Sequence, residues 1–208
     1  MNAIKSAWAL VQENKRAYIV INVVYYGLVL IFMGVAAFDP ALQAELLKTV
    51  GQSLMTGPLA VVGEAYVNAE VLTAIGLPFV VNLFLGSLAF ITIPSLVFPF
   101  VGLLMGVYRA ILWGLIFYPG HPDMQIIMIP HSLTLILEGQ AYILALFGTY
   151  LQGRAFLWPK SVGLESHWRG YLEGLKRTGK IYLLVTITLI IAAIYEVIEV
   201  VLMAKLLG

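Results

Sequence analysis

Apolar residues dominate this chain in long unbroken runs, and polar residues gather between the runs. A helix that crosses a bilayer needs roughly 20 largely apolar residues. Five stretches meet that requirement: 17–38, 76–93, 96–118, 126–151 and 181–206. The pattern predicts an all-α fold, a polytopic transmembrane helix bundle of five spans forming a single integral membrane domain over 1–208. Spans two and three form a tight hairpin that turns at Pro94-Ser95, because proline cannot donate a backbone hydrogen bond.

Shorter stretches alternate apolar and polar positions. Residues 1–16 read as an N-terminal interfacial helix, with Ile4, Trp8 and Val11 on one face and Lys5, Lys15 and Arg16 reaching for headgroups. They do not read as a signal peptide, because the apolar run that follows exceeds a signal core. Residues 39–75 form an external segment. Within it, 41–50 reads as a surface helix. The stretch 54–75 is apolar but broken by Gly57, Pro58, Gly63, Glu64, Asn68 and Glu70, which predicts an interfacial or re-entrant helix. Residues 152–180 read as a loop. Within it, Glu165–Arg177 puts Leu164, Trp168, Tyr171, Leu172 and Leu175 on one helical stripe, with basic residues around it, for the anionic membrane surface. The alternative for this loop is a docking site, over 154–180, for a cytoplasmic partner.

Composition narrows the function classes. Of 208 residues, 61% are hydrophobic and 11% charged, against roughly 45–50% and about 25% in soluble domains. Mean hydropathy is +0.94. A soluble fold of this size could not hide so much apolar surface, so a soluble enzyme and a disordered chain are disfavoured. The net charge of +1 supplies no basic field for nucleic acid. The absence of cysteine excludes disulfides and thiolate metal sites.

The distribution of charge predicts orientation. Lys5, Lys15 and Arg16 precede span one, and Arg154, Lys160, Arg169, Lys176, Arg177 and Lys180 lie between spans four and five. The segment after span one offers Lys48 against Asp39, Glu45, Glu64 and Glu70. Five spans with a cytoplasmic N-terminus and an external C-terminus put every segment on its expected side of an inner (plasma) membrane.

Charges inside the spans are the candidate functional residues, because an ionisable group near the bilayer centre is costly and faces protein or water. Arg109, Glu138, Glu196 and Glu199 fall within spans, His131 lies nearer the external end of span four, and Asn82 joins them with Asn22 and Gln140. At about 1.5 Å per residue, Arg109, Glu138 and Glu196 share one level roughly 13–18 Å deep. Pairing of Arg109 with Glu138 or Glu196 is expected. His131 and Glu138 stand two turns apart on a face with Thr134, Ala141, Ala145 and Gly148. Glu196 and Glu199 share a face of span five. The network either fixes helix register or carries a proton, ion or substrate. Gly102 and Gly106 form a G-x-x-x-G motif that continues to Ala110 and Gly114, for packing within the monomer or between subunits.

Known catalytic patterns are not found. H-E-x-x-H, G-x-S-x-G, a phosphate-binding glycine loop and G-x-G-x-x-G are absent. His121, Asp123 and His131 are too loosely spaced for a metal site, His167 falls on the other side of the membrane, and no haem ligand pair stands out. No cofactor or metal is implied. An intramembrane hydrolase would have to rely on Glu138 and His131.

Asn82-Leu83-Phe84-Leu85-Gly86 heads an apolar hairpin, followed by Phe98, Gly102, Gly106, Arg109 and Gly114. Then come Pro130-His131 and Glu138-Gly139-Gln140-Ala141, with Ala145 and Gly148. Over roughly 76–153 this arrangement resembles the stage II sporulation protein M family of small multi-pass membrane proteins. That family has a Gly after Pro-His, where this chain has Ser132, and its Glu lies closer behind the His. The resemblance implies a membrane scaffold or permease-like subunit that works with partner proteins. The absence of a catalytic pattern, the near absence of an extramembrane domain and the interior polar network with its small-residue faces predict a non-enzymatic subunit of a larger membrane assembly, with other membrane subunits or a second copy of itself as partners. An interior Arg/Glu path through a permease is the alternative reading.

Overall fold

The computed structural model describes residues 2–56, 71–120 and 122–207, and those residues are helical almost throughout, with no strand among them. Helix α1 spans Asn2–Glu13, α2 Lys15–Phe38 and α3 Pro40–Met55. Then α4, Val71–Val80, runs into a π-helical stretch, Val81–Thr92, and a short α5, Ile93–Val97. Helix α6 is Val101–Ile116, α7 Pro122–Leu157 and, after a 3-10 turn at Pro159–Val162, α8 is His167–Leu207. The expected interfacial or re-entrant helix over 54–75 falls mostly on 57–70, outside the described residues, as does His121.

Four helical segments are long and apolar enough to cross a membrane: Lys15–Phe38, Gly76–Val97, Met124–Leu157 and His167–Glu199. The segment expected as span three forms the shorter apolar helix α6 of 16 residues, about 24 Å long at 1.5 Å per residue.

Side-chain contacts give each segment its direction. Tyr18 meets Gln140 and Tyr26 meets Ile136, so α2 and α7 are antiparallel. Gly106 of α6 lies beside Ile21 and Val24, and Gly114 beside Val29 and Phe32, so α6 runs parallel to α2. Asn82 meets Glu138 and Gly86 meets Tyr142, so the π-helical stretch runs with α7. Thr178 bonds to Gly148 while Glu199 bonds to His131, so α8 returns antiparallel along α7. The turns at 98–100 and 158–166 therefore share one end with Lys15 and Arg154, called here the basic end.

Three features differ from the sequence expectations. The turn between the second and third apolar segments is at 98–100, not at Pro94-Ser95. A π-helical ladder is wider than an α ladder, which relieves the clash between the proline ring and the carbonyl four residues back, and the helix passes through Pro94. Phe98 is extended and Phe100 is left-handed, φ 69°, a region that costs a bulky residue energy. Its ring lies over Gly153, between Tyr150 and Trp158 at 6.4 and 6.0 Å. Ser95 Oγ accepts the Gly102 N–H at 2.6 Å, satisfying one orphan donor at the start of α6.

The second difference is α8. The helical stripe expected over 165–177 is the first part of α8 rather than a separate surface helix: α7 continues to Leu157, and α8 is already helical at His167 and runs unbroken to Leu207. Glu173 and Arg177 pair one turn apart at 3.0 Å. The side of this turn that packs is the row Gly170, Gly174, Thr178, while Trp168 and Leu172 remain exposed. The third is α1. Val11 faces the core with Ala7 and Leu10, whereas Ile4 and Trp8 are exposed on another side.

The core sits between α7 and α8, around Ala141, Tyr142, Ala145, Phe147, Ile181 and Val185. Small residues bring the two backbones together. A Cβ on Gly170 would overlap the Ala155 carbonyl oxygen, and one on Gly174 would lie 2.8 Å from Gln152 Cα. The glycine row of α6 also packs inside this chain: Gly102 on Ile91 and Ser95, Gly106 on Leu146, and Gly114 on α2. At the end away from the basic one, Asp39 Oδ1 caps α3 by accepting the Leu42 N–H. Gln43 Nε2 then donates to the Ile116 and Tyr118 carbonyls at 2.9 and 2.6 Å, closing the C-terminus of α6.

Candidate functional site: the interior polar network

Three groups of polar residues within the apolar segments hold the residues singled out from the sequence, and each joins separate helices. The first surrounds Asn82. Its Nδ2 donates to Glu138 Oε1 at 2.5 Å, and its Oδ1 accepts the Tyr142 hydroxyl at 2.6 Å. Arg109, from α6, stands over the Tyr142 ring at 3.6 Å and 5.7 Å from the Trp113 ring. A cation over an aromatic face is attracted by the ring quadrupole, most strongly where water is excluded. Glu138 also feels the charges of Glu196, Arg109 and His131. Gly86 makes room for the group: a methyl there would lie 3.0 Å from Tyr142 Cε1 and 3.3 Å from Arg109 Nη1.

The second group joins α7 to α8. His131 Nδ1 lies 2.9 Å from Glu199 Oε1, and the Thr134 hydroxyl donates to Glu199 Oε2 at 2.6 Å. Both oxygens of a buried carboxylate are thereby engaged, as a charge in a low-dielectric interior requires. The Tyr195 hydroxyl donates to the Pro130 carbonyl at 3.1 Å. The third group joins α2 to α7. Gln140 accepts from Tyr18 at 2.7 Å and donates to Asn22 Oδ1 at 2.8 Å.

Among the residues expected from the sequence, Asn82, Arg109 and Glu138 come together, with Glu196 in their electrostatic field. His131 and Glu199 form a separate pair. The two groups that a hydrolase would need side by side thus have different partners, Glu199 for His131 and Asn82 for Glu138. Ala141 and Ala145 are fully buried on the face of α7 that carries them, and Gly148 meets Thr178. Among the described residues no cluster of three or more His, Asp or Glu could hold a metal ion.

Tyr142 is the member that a search for charges misses. It follows Glu138 by four residues and therefore shares its face, which is the signal that could have found it. Edge-to-face contacts from Trp113 to Tyr142, Tyr25 and Phe117, and a tilted contact from Phe117 to His131 at 5.2 Å, run between the first two groups.

The helices and their buried polar groups define an all-helical membrane protein with a bonded polar interior. No protein-family model, curated protein or solved structure matches the chain.

Proposed function

We propose that this chain is a non-enzymatic subunit or scaffold of a larger membrane assembly, similar to stage II sporulation protein M. It sits in an inner (plasma) membrane with five crossings, its N-terminus cytoplasmic and its C-terminus external. One observation carries this reading: the interior polar side chains bond across helices. Glu199 engages His131 and Thr134, Asn82 engages Glu138 and Tyr142, and Gln140 engages Tyr18 and Asn22. A network of this kind holds helices in register. The alternating directions of the five apolar segments support five crossings, and the basic residues at the 98–100 and 158–166 end support a cytoplasmic location for it.

The partners are the bilayer and other membrane subunits. Val20, Val23, Leu30 and Ile31 of α2 are all more than half exposed within this chain, and lipid or a neighbouring subunit covers them. Extraction in a mild detergent followed by native mass measurement tests the reading. Co-purifying subunits or a defined homo-oligomer are expected. A lone monodisperse monomer that retains the full cellular activity would sink it.

A second reading rests on Glu138 being influenced by the charges of Glu196, Arg109 and His131, ionisable groups of α6, α7 and α8. A permease could route a proton or ion along them. It predicts flux in proteoliposomes that falls on Glu138→Gln, whereas flux equal to that of empty vesicles counts against it.

A further inference from the structure

Two of the arginines outside the interior network share one cavity. At the basic end, Glu13 and Asn14 after α1, Leu151 and Arg154 of α7, Ser161 and Val162 of the 3-10 turn, and Arg177 of α8 enclose a cavity of about 280 Å³. Arg154 and Arg177 are half-buried in its wall, whereas Glu13 is exposed. Glu13 and Glu173 formally balance the two guanidinium groups, Glu173 by pairing with Arg177. Glu13 is exposed, however, and water screens an exposed carboxylate more effectively than a half-buried guanidinium, so the positive charge left in the cavity is that of Arg154.

Internal contacts orient these guanidinium groups without saturating them. Arg154 Nη1 donates to Asn14 Oδ1 at 2.9 Å, and Arg177 Nε donates to Glu173 Oε1 at 3.0 Å. A guanidinium carries five N–H donors in a planar fork suited to phosphate. The partner of Arg154 is a neutral amide, so its charge is not cancelled there. Ser161 adds a hydroxyl to the wall. The volume lies just below the range of sites that hold whole small molecules, which suits one phosphate group with its attachment rather than a complete lipid.

Location narrows the chemistry. The apolar part of α8 begins at Ile181, one turn beyond Arg177. Trp158 and Trp168 stand 57% and 65% exposed nearby in sequence, as aromatic residues do at the headgroup level.

We infer that the cavity between Arg154 and Arg177 is a binding site for a phosphate anion, carried by an anionic phospholipid headgroup or present as free inorganic phosphate. The full chain, purified in a neutral detergent, is titrated separately with dioleoylphosphatidylglycerol and with inorganic phosphate, and binding is read by thermal shift and native mass. Replacing both Arg154 and Arg177 with glutamine removes both forks and should weaken binding roughly tenfold or more per arginine. A loss confined to phosphatidylglycerol supports the site with a lipid as its source. A loss shared by both anions supports it with phosphate itself sufficient. Ser161→Leu narrows the cavity from an exposed turn while keeping both arginines, and should weaken binding too, so the inference stays testable if the double variant misfolds. Unchanged binding in correctly folded variants overturns the site. So does an equal loss in a Lys160→Gln/Lys180→Gln control, because surface charge alone would then account for it.

Discussion

Alanine substitutions along α8 test whether glycine sets the distance between α7 and α8. At Gly174 an added methyl would meet Gln152 Cα at 2.8 Å and its carbonyl oxygen at 3.0 Å. Comfortable carbon–carbon separation is about 3.5–4.0 Å, so the helices must part by about 0.7 Å or more. Both obstacles are backbone atoms that no rotamer change can move. A gap of 0.5–1 Å forfeits roughly a quarter to a half of the dispersion well for every atom pair along the seam. Overpacking of this kind costs about 1–3 kcal/mol. Alanine's better helix propensity returns up to about 1 kcal/mol. Gly179 supplies the control, five residues on in the same helix, where an added methyl would meet nothing within 4 Å. Gly179→Ala should therefore be neutral or slightly stabilising. The two variants should differ by about 2 kcal/mol, roughly thirtyfold in the unfolding equilibrium. Reversible unfolding in mixed micelles, followed by tryptophan fluorescence, measures that difference. Gly106→Ala should fall between them, because its obstacle is the tip of the Leu146 side chain. Equal midpoints for Gly174→Ala and Gly179→Ala would refute the reasoning.

The same unfolding assay checks three further expectations. Glu199→Ala strands His131 and Thr134 together and should cost about 3 kcal/mol or more, with Glu199→Gln costing less because one acceptor remains. Tyr142→Phe removes the bond to Asn82 but keeps the ring beneath Arg109, for a loss of about 1 kcal/mol; Tyr142→Leu removes both and should lose roughly 2 kcal/mol more. Gln43→Ala frees two carbonyls at the end of α6 and should cost about 1–2 kcal/mol, and faster amide exchange at the last turn of α6 is the local signature to look for.

Hydropathy carries the membrane-spanning segments because every buried face of a membrane helix is apolar whatever it packs against. The polar residues inside the segments are equally legible, since Asn82, Arg109, Glu138 and Glu199 have no reason to lie there without a partner. Which partner each takes is not legible. His131 and Glu138 share a face of α7, yet α8 passes one of them with Glu199 and the π-helical stretch passes the other with Asn82. That choice depends on interhelical offset, which one-dimensional periodicity does not encode. The π-helical stretch is hidden for a similar reason, because its residues are as apolar as those of an α-helix and only the ladder differs. The early start of α8 is obscured by its charges. Arg169, Glu173, Lys176 and Arg177 are good helix formers, and the stripe over 165–177 reads as a helix, but its charges set that helix on the membrane surface and hide its continuity with the apolar run from Ile181. The glycine row at Gly170 and Gly174 was the signal that this stretch packs.

The lengths of α7 and α8 bear on how the molecule stands in a bilayer. Their 36 and 41 residues amount to about 54 and 61 Å of helix, against a hydrocarbon layer of about 30 Å. Tilt cannot absorb the excess: at 40°, the upper end of the range for membrane helices, a 61 Å rod still rises about 47 Å. Some 17 Å of the hairpin must overhang the hydrocarbon, and its charges put that overhang at the basic end. Because the glycine seam continues into the overhang, the protruding part is a stiff stub rather than a flexible tether. A push on it is carried as rotation of one rigid pair. A thicker or thinner bilayer meets the same rod at a different height, not a different shape.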